Sequence, residues 1–329
     1  MPDDLGMGRR GEEAMTVLPP ESLAMRIAGM LGFRKIRWSL RRLHVPVNRS
    51  ALVLEVGAGG NPYPRANVLL DGFEESVERN EKQLVNDRPF VFGLCEKLPF
   101  RDKAFDFVIA SHVLEHTDDP ATFLSELQRV AKAGYIETPD AFFERINPFT
   151  FHRLEVTSEN NKLLIKKKTS WVADPEIVGW YEKKLKKDPA FSHYIRIFPD
   201  SQHMRFYWSD SIEYDVINPA DNASWDYPLE LKKRAPMQNK FKDGLRSLYL
   251  LLFRRIFSQN YRNSLIDVVD LLRCVECNHT EFTKNTDSLY CNNCHHTYPM
   301  VDGVPNMILG NLAGANQVRL RPSATRISQ

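Results

Sequence analysis

The 329-residue sequence has no long apolar run, no excess of charge of either sign, and only five cysteines, four of them in two close pairs. The longest apolar stretch, Leu248 to Phe253, falls far short of the roughly 20 residues of a membrane-spanning helix. Lys and Arg total 44 against 42 Asp and Glu, a net charge of +2. A dedicated nucleic-acid binder would carry a marked basic excess, so nucleic acid is not an expected partner. The first residues, Met1-Pro2-Asp3-Asp4-Leu5-Gly6, lack a basic segment followed by an apolar core and do not read as a secretory signal. Composition also excludes a disordered, collagen-like or disulfide-scaffold chain. With 43% hydrophobic and 26% charged residues, the sequence has ample material for a buried core and a length suited to about two domains.

Residues 1–18 read as a frayed leader. From Glu21 to Leu43 apolar residues recur at helical spacing among Arg26, Arg34, Lys35, Arg37, Arg41 and Arg42. That pattern predicts one basic amphipathic helix, packed on the following domain or touching a membrane surface or acidic partner. Buried-strand patterns follow at Ala51–Val56, Asn67–Asp71, Phe90–Gly93 and Phe105–Ala110, with Tyr135–Glu137 ending a fifth. Between the last two, Phe123, Leu124, Leu127 and Val130 form a helical stripe. Strands alternating with crossovers predict an α/β fold with a parallel sheet. Arg153–Thr157 and Lys162–Lys167 flank a Ser-Glu-Asn-Asn turn and read as a β-hairpin. The expected units are a leader and basic helix (1–48), a core (49–168), an aromatic-rich covering region and helix (169–270), a cysteine-bearing unit (271–308) and a disordered tail (309–329).

The segment Glu55-Val56-Gly57-Ala58-Gly59-Gly60-Asn61-Pro62 places a glycine turn directly after the first strand. Glycine lets the chain turn sharply and lets a ligand approach the backbone. A dinucleotide site does not fit. Pro62 stands where its third glycine belongs, and Asn-Pro-Tyr-Pro does not open the helix that a pyrophosphate needs. Asp71, 14 positions after Gly57, ends the second strand, where a carboxylate accepts hydrogen bonds from both hydroxyls of a ribose. A phosphate-free nucleoside with a cationic amino-acid end near Glu55 describes S-adenosylmethionine.

Further along stand Glu96-Lys-Leu98-Pro99-Phe100, Phe105-Asp106-Phe-Val-Ile-Ala-Ser111-His112-Val-Leu114-Glu115-His116, Asp119-Pro120 and Leu124-x-Glu126-Leu-x-Arg129-Val130. In combination they resemble the methyltransferase-domain group of class I S-adenosylmethionine-dependent methyltransferases, from roughly Ala51 to Pro139. The resemblance implies a Rossmann-like sheet with helices on both faces. It places Glu55, Gly57, Ala58 and Gly59 at the methionine end of the cofactor, Asp71 on its ribose, Cys95 and Glu96 by the adenine, and Ser111 and His112 beside the methyl group. Two departures stand out. The Asn-Pro-Tyr-Pro-Arg loop replaces the usual first crossover helix, and Leu94 occupies the position where the family commonly has an adenine-binding aspartate.

Methyl transfer to oxygen requires in-line positioning and removal of a proton. His112 and His152 are the candidate bases, while Glu115 and His116 read as residues that orient their loop. No Asn/Asp-Pro-Pro-Tyr motif follows the fourth strand, which favours an oxygen or carbon acceptor over an amino group. The expected substrate is a small molecule or sugar, handled in the cytoplasm.

Cys274-x2-Cys277-x13-Cys291-x2-Cys294 has the spacing of two knuckles around one tetrahedral structural Zn²⁺, with no position left for a catalytic water. With Tyr298-Pro299, Asp302-Gly303 and Pro305, the segment resembles the zinc-ribbon family that includes the activator subunit of tRNA, rRNA and release-factor methyltransferases. Two other readings therefore stay open. One is a tRNA, rRNA or translation-protein methyltransferase with its ribbon in cis. The other is an inactive scaffold whose ribbon and basic helices bind a partner or membrane surface.

Overall fold

The computed structural model describes residues 20–72, 83–223 and 240–310. The expected leader and all of the tail beyond residue 310 lie outside these, while Leu309, assigned to the tail, is buried. The basic segment near the N-terminus is two helices instead of the expected one: α1 (Leu23–Met30) and α2 (Arg34–Leu40). Gly32, at φ +77°, separates them, and the Phe33 amide donates back to Ala28 O at 2.8 Å, a Schellman closure. Arg41, expected on a solvated face, is buried just beyond α2.

Five parallel strands follow: β1 (Val53–Val56), β2 (Val68–Asp71), β3 (Phe90–Phe92), β4 (Phe105–Ser111) and β5 (Ala131–Pro139). Every residue of β1 and β2 is buried, as expected of central parallel strands covered on both faces. Helix α3 (Pro120–Val130) connects β4 to β5. Asp119 caps it by accepting the Thr122 amide at 3.0 Å, and Pro120 supplies its first residue. After the short α4 (Ala141–Ile146) comes the hairpin of β6 (Leu154–Glu159) and β7 (Lys162–Lys167), turned through left-handed Asn160 and Asn161.

The stretch 169–270 does more than cover the sheet. After α5 (Pro175–Lys183) and α6 (Pro189–Ile197), β8 (His203–Ser209) joins the sheet antiparallel to β5. The final order is β3-β2-β1-β4-β5-β8. Trp208 faces Gly134 across this last pair so closely that a Cβ on Gly134 would sit 2.6 Å from the indole nitrogen. Strand β9 (Tyr214–Val216) then pairs with β7. Beyond α7 (Lys240–Phe257), the short α8 (Asn260–Ser264) clamps the start of β1, with Arg262 donating to the carbonyls of Arg49 and Ala51 at 2.7 and 2.8 Å.

Strands β10 (Phe282–Lys284), β11 (Ser288–Cys291), β12 (Thr297–Val301) and β13 (Val304–Pro305) form a separate antiparallel sheet at the C-terminal end. It docks on the β3 edge of the main sheet, where the Met307 amide donates to Phe92 O at 2.9 Å. Leu272, Leu289, Tyr298 and Met307 share one apolar core with α3 and the main sheet. Covering an otherwise open strand edge removes a site of unwanted pairing.

Candidate active site

Strand order reverses between β1 and β4, the point at which open α/β sheets form a ligand crevice beyond the C-terminal ends of their strands. The glycine turn lies there, with Gly57 at φ +68° and Gly59 at φ +57°. The amides of Gly57 and Ala58 donate to Leu70 O at 2.9 and 3.1 Å, and the Gly59 amide donates to Asp71 Oδ2 at 2.9 Å. All three donors are taken up by the end of β2, which pins the turn to that strand. A Cβ on Gly57 would lie 2.3 Å from Val113 Cγ2, so the glycine is demanded by packing as well as by backbone angle.

No helix links β1 to β2, in keeping with the proline-rich spacing. The Arg88 guanidinium holds the linking loop instead, donating to the carbonyls of Tyr63, Pro64 and Ala66 at 3.2, 3.3 and 2.8 Å. Glu55 is 3% exposed and accepts the Tyr63 amide at 2.7 Å. Burial pushes its carboxyl up to about 7, against the opposing pull of Arg42. Cys95 and Glu96 follow β3. Cys95 Sγ donates to Glu96 Oε2 at 3.1 Å, and the Thr117 hydroxyl donates to Glu96 Oε1 at 2.7 Å.

Beyond β4 and β5 lies a denser polar group centred on a buried carboxylate. Glu137 on β5 is fully buried and receives Arg41 as a fork, Nε to Oε2 and Nη2 to Oε1, both at 2.8 Å. The Tyr135 hydroxyl donates to the same carboxylate, as does Ser111 Oγ at 3.3 Å. Burial alone would raise the Glu137 pKa, but Arg41 and His112 hold it well below the ordinary carboxylate range. His112, at φ +59°, places Nδ1 3.2 Å from Glu115 Oε1 and Nε2 3.5 Å from Glu137 Oε1. Its side chain is 42% exposed; partial desolvation disfavours the charge, yet the two carboxylates outweigh this and push the imidazole up to about 10. Tyr63 Oη is buried close to Ser111 and Glu137 without a partner in hydrogen-bonding geometry.

His152 lies in an adjoining buried pocket, its Nδ1 2.6 Å from Glu144 Oε2 and its ring perpendicular to that of His116, 4.9 Å away. Glu115 connects this pocket to His112. The fold therefore gathers Glu55, Gly57, Ala58, Gly59, Asp71, Cys95, Glu96, Ser111 and His112 along the C-terminal edge of the sheet, with His152 behind them.

The four cysteine sulfurs lie within 4.8 Å of one another, with Cys274–Cys294 and Cys277–Cys291 each at 3.6 Å, and none forms a disulfide. Zn–S bonds of about 2.3 Å in a tetrahedron place sulfurs roughly 3.8 Å apart, so the arrangement fits one Zn²⁺ with no open position.

Residues 54–136 match the family described as a methyltransferase domain. Over 69 residues the chain is 44% identical to an uncharacterised methyltransferase of Schizosaccharomyces pombe, covering 20% of this chain and 25% of that protein. Over 74 residues it is 32% identical to the ubiquinone/menaquinone biosynthesis C-methyltransferase of Desulfotalea psychrophila, covering 22% of this chain and 30% of that one. The chain thus spans under a third of the length of either relative. Among solved structures, a chain from the Haloferax volcanii complex between the Trm112 methyltransferase activator and a methyltransferase aligns with a TM-score of 0.34 and 15% identity, over 57% of this chain and 94% of that one.

Several of the motif residues turn out to brace loops. Glu126 Oε2 accepts the Leu98 amide at 2.7 Å, and Arg129 donates to the carbonyls of Leu98 and Phe100 at 2.8 and 2.6 Å. Asp106 accepts the Leu52 amide at 2.8 Å. Sequence reasoning passed over Arg41, Tyr63, Glu144 and Lys168. Arg41 sits in a run of six basic residues and nothing local distinguishes it. Glu144 and Lys168 are each 2% exposed, a burial that their charged surroundings in the sequence conceal.

Proposed function

We propose that the chain is an S-adenosylmethionine-dependent methyltransferase acting at oxygen on a small-molecule or sugar acceptor. The observation that carries this reading is the convergence of the Gly57–Gly59 turn, Asp71 and Ser111–His112 at the reversal point of the sheet. S-adenosylmethionine supplies, when bound, a methyl group already activated by its sulfonium. In this reading Asp71, fixed by the Gly59 amide, receives the ribose hydroxyls, and Glu55 meets the cationic amino-acid end, where a positive charge favours its ionised form. His112, held toward its charged form by Glu115 and Glu137, orients an acceptor as a donor. With no cation bound beside it, His152, its Nδ1 held by Glu144, takes the acceptor proton in this reading. Ser111-His112-Val113-Leu114 stands where amino-directed enzymes need a carboxamide or carboxylate, which supports oxygen as the acceptor. The four cysteines would hold a structural Zn²⁺ that fixes the small sheet against β3.

Titration calorimetry tests the reading. Saturable binding of S-adenosylmethionine is expected, weakened tenfold or more in Asp71→Ala; no heat at millimolar cofactor with the folded chain overturns it.

A second reading, methylation of RNA or a translation protein, is favoured by the docking of the cysteine-bearing sheet on β3. Tight RNA binding with a steep salt dependence would support it. For partners, exposed Leu23, Met30 and Leu31 beside Arg26, Arg34 and Lys35 support peripheral contact with an anionic membrane surface, which sedimentation with anionic vesicles tests. Among the described residues no helix is long and apolar enough to cross a membrane.

A further inference from the structure

We infer that Glu115, His116 and His152 form a binding site for a divalent transition-metal ion beside the proposed methyl-transfer edge. The three residues offer ligand atoms that all lie within 4.8 Å of one another. Bonds of roughly 2.0–2.2 Å to one ion place its ligands at most about 4.4 Å apart, so small side-chain rotations close the group on a cation. Glu115 is 1% exposed, and although its Oε1 meets His112, its Oε2 is buried with no hydrogen-bond partner. An ionised oxygen stripped of both water and donor is costly unless something positive meets it.

The surroundings of the two imidazoles point the same way. His116 Nδ1 lies 3.3 Å from Phe151 O, and His152 Nδ1 lies 2.6 Å from Glu144 Oε2. A carbonyl on one ring and a carboxylate on the other fix the tautomers that ligate through Nε2, the usual outer shell of metal-bound histidine. Glu144 is itself anchored by Lys168 Nζ at 2.6 Å and the Phe149 amide at 3.1 Å.

Two imidazoles and one carboxylate suit Mn²⁺, Fe²⁺ or Zn²⁺ better than the all-oxygen preference of Mg²⁺ or Ca²⁺. Unlike the four-sulfur group, three ligands leave open positions for an oxygen of the acceptor. Because Glu115 bridges to His112, the ion would lie one carboxylate from the end of β4. There it binds the acceptor hydroxyl and lowers its pKa, the proton leaving to water. This role rests on the methyltransferase reading, and it makes His152 a ligand in place of a base. The site itself does not depend on that reading.

Mn²⁺ is the discriminating probe, since it binds thiolates weakly. Electron paramagnetic resonance on the full chain should count one saturable Mn²⁺, with affinity falling tenfold or more in Glu115→Gln and in His116→Ala. Glu144→Gln, which leaves all three ligands in place, should lose roughly 10–100-fold. Cooperative thermal unfolding of each variant checks that the fold survives. No saturable Mn²⁺ or second Zn²⁺ in the folded wild type overturns the inference, as does binding that Glu115→Gln and His116→Ala leave unchanged. Mn²⁺ binding lost in these variants while the wild type fails to bind S-adenosylmethionine upholds the metal site and overturns the methyltransferase reading alone.

Discussion

The two sides of the sheet's C-terminal edge hold buried carboxylates in opposite ways. On the β1–β2 side, Glu55 and Asp71 accept backbone amides from residues eight and twelve positions away, so the acids serve the turn that carries them. On the β4–β5 side, Glu137 meets Arg41 from 96 residues away, and Glu115 meets His112 and the adjoining histidine pocket. One amide and the unforked pull of Arg42 compensate the buried Glu55 charge weakly, whereas a forked guanidinium compensates Glu137 strongly. Hence Glu55 is pushed up to about 7 while Glu137 is held far below the ordinary range. The first side leaves Glu55 able to change its charge near neutral pH, and the second keeps the charge of Glu137 in place.

The strongest way to break this contrast is Arg41→Ala, which leaves Glu137 buried without its principal cation. A loss of about 3–5 kcal/mol in urea unfolding is expected, as for other broken buried pairs. A variant within 1 kcal/mol of wild type would mean that His112 and Tyr135 suffice.

Next in size is the pH response of Glu55. Its folded pKa of about 7 exceeds the ordinary 4.5, so the folded state keeps an extra proton between those values. Wild-type stability should therefore fall as pH rises from 4.5 through 7, by on the order of 3 kcal/mol, and then level off. Glu55→Gln keeps an oxygen for the Tyr63 amide and should erase that slope in melts across the window. An unchanged slope would place the titration elsewhere.

The smallest effect separates two reasons for one glycine. Gly57→Ala should cost about 1–3 kcal/mol through its clash with Val113 and its left-handed backbone. Gly57→Ala/Val113→Ala should recover the steric part only; full recovery would show that the backbone angle is unstrained.

Much of the first side was legible along the chain. The glycines, the proline-rich loop and Asp71 lie within one strand-turn-strand unit, and their roles follow from backbone geometry over short separations. The strands and α3 were legible for the same reason, since burial on both faces and a helical stripe are local patterns. Two features were not. The antiparallel β8 hid in an aromatic-rich stretch, because its alternation carries no mark of which sheet it will join. The single helix expected over residues 21–43 broke at Gly32, whose left-handed closure overrode an amphipathic pattern that continues on either side.

By itself the sequence determined the α/β order, the glycine turn and the four-cysteine cluster, because each is set by residue types at fixed short spacings. Tertiary structure alone decided that Arg41 answers Glu137, that two carboxylates face His112, and that ligand atoms of Glu115, His116 and His152 lie within 4.8 Å of one another. Charge compensation in a buried site depends on distances in space between residues far apart in the chain, and no spacing along the chain records them.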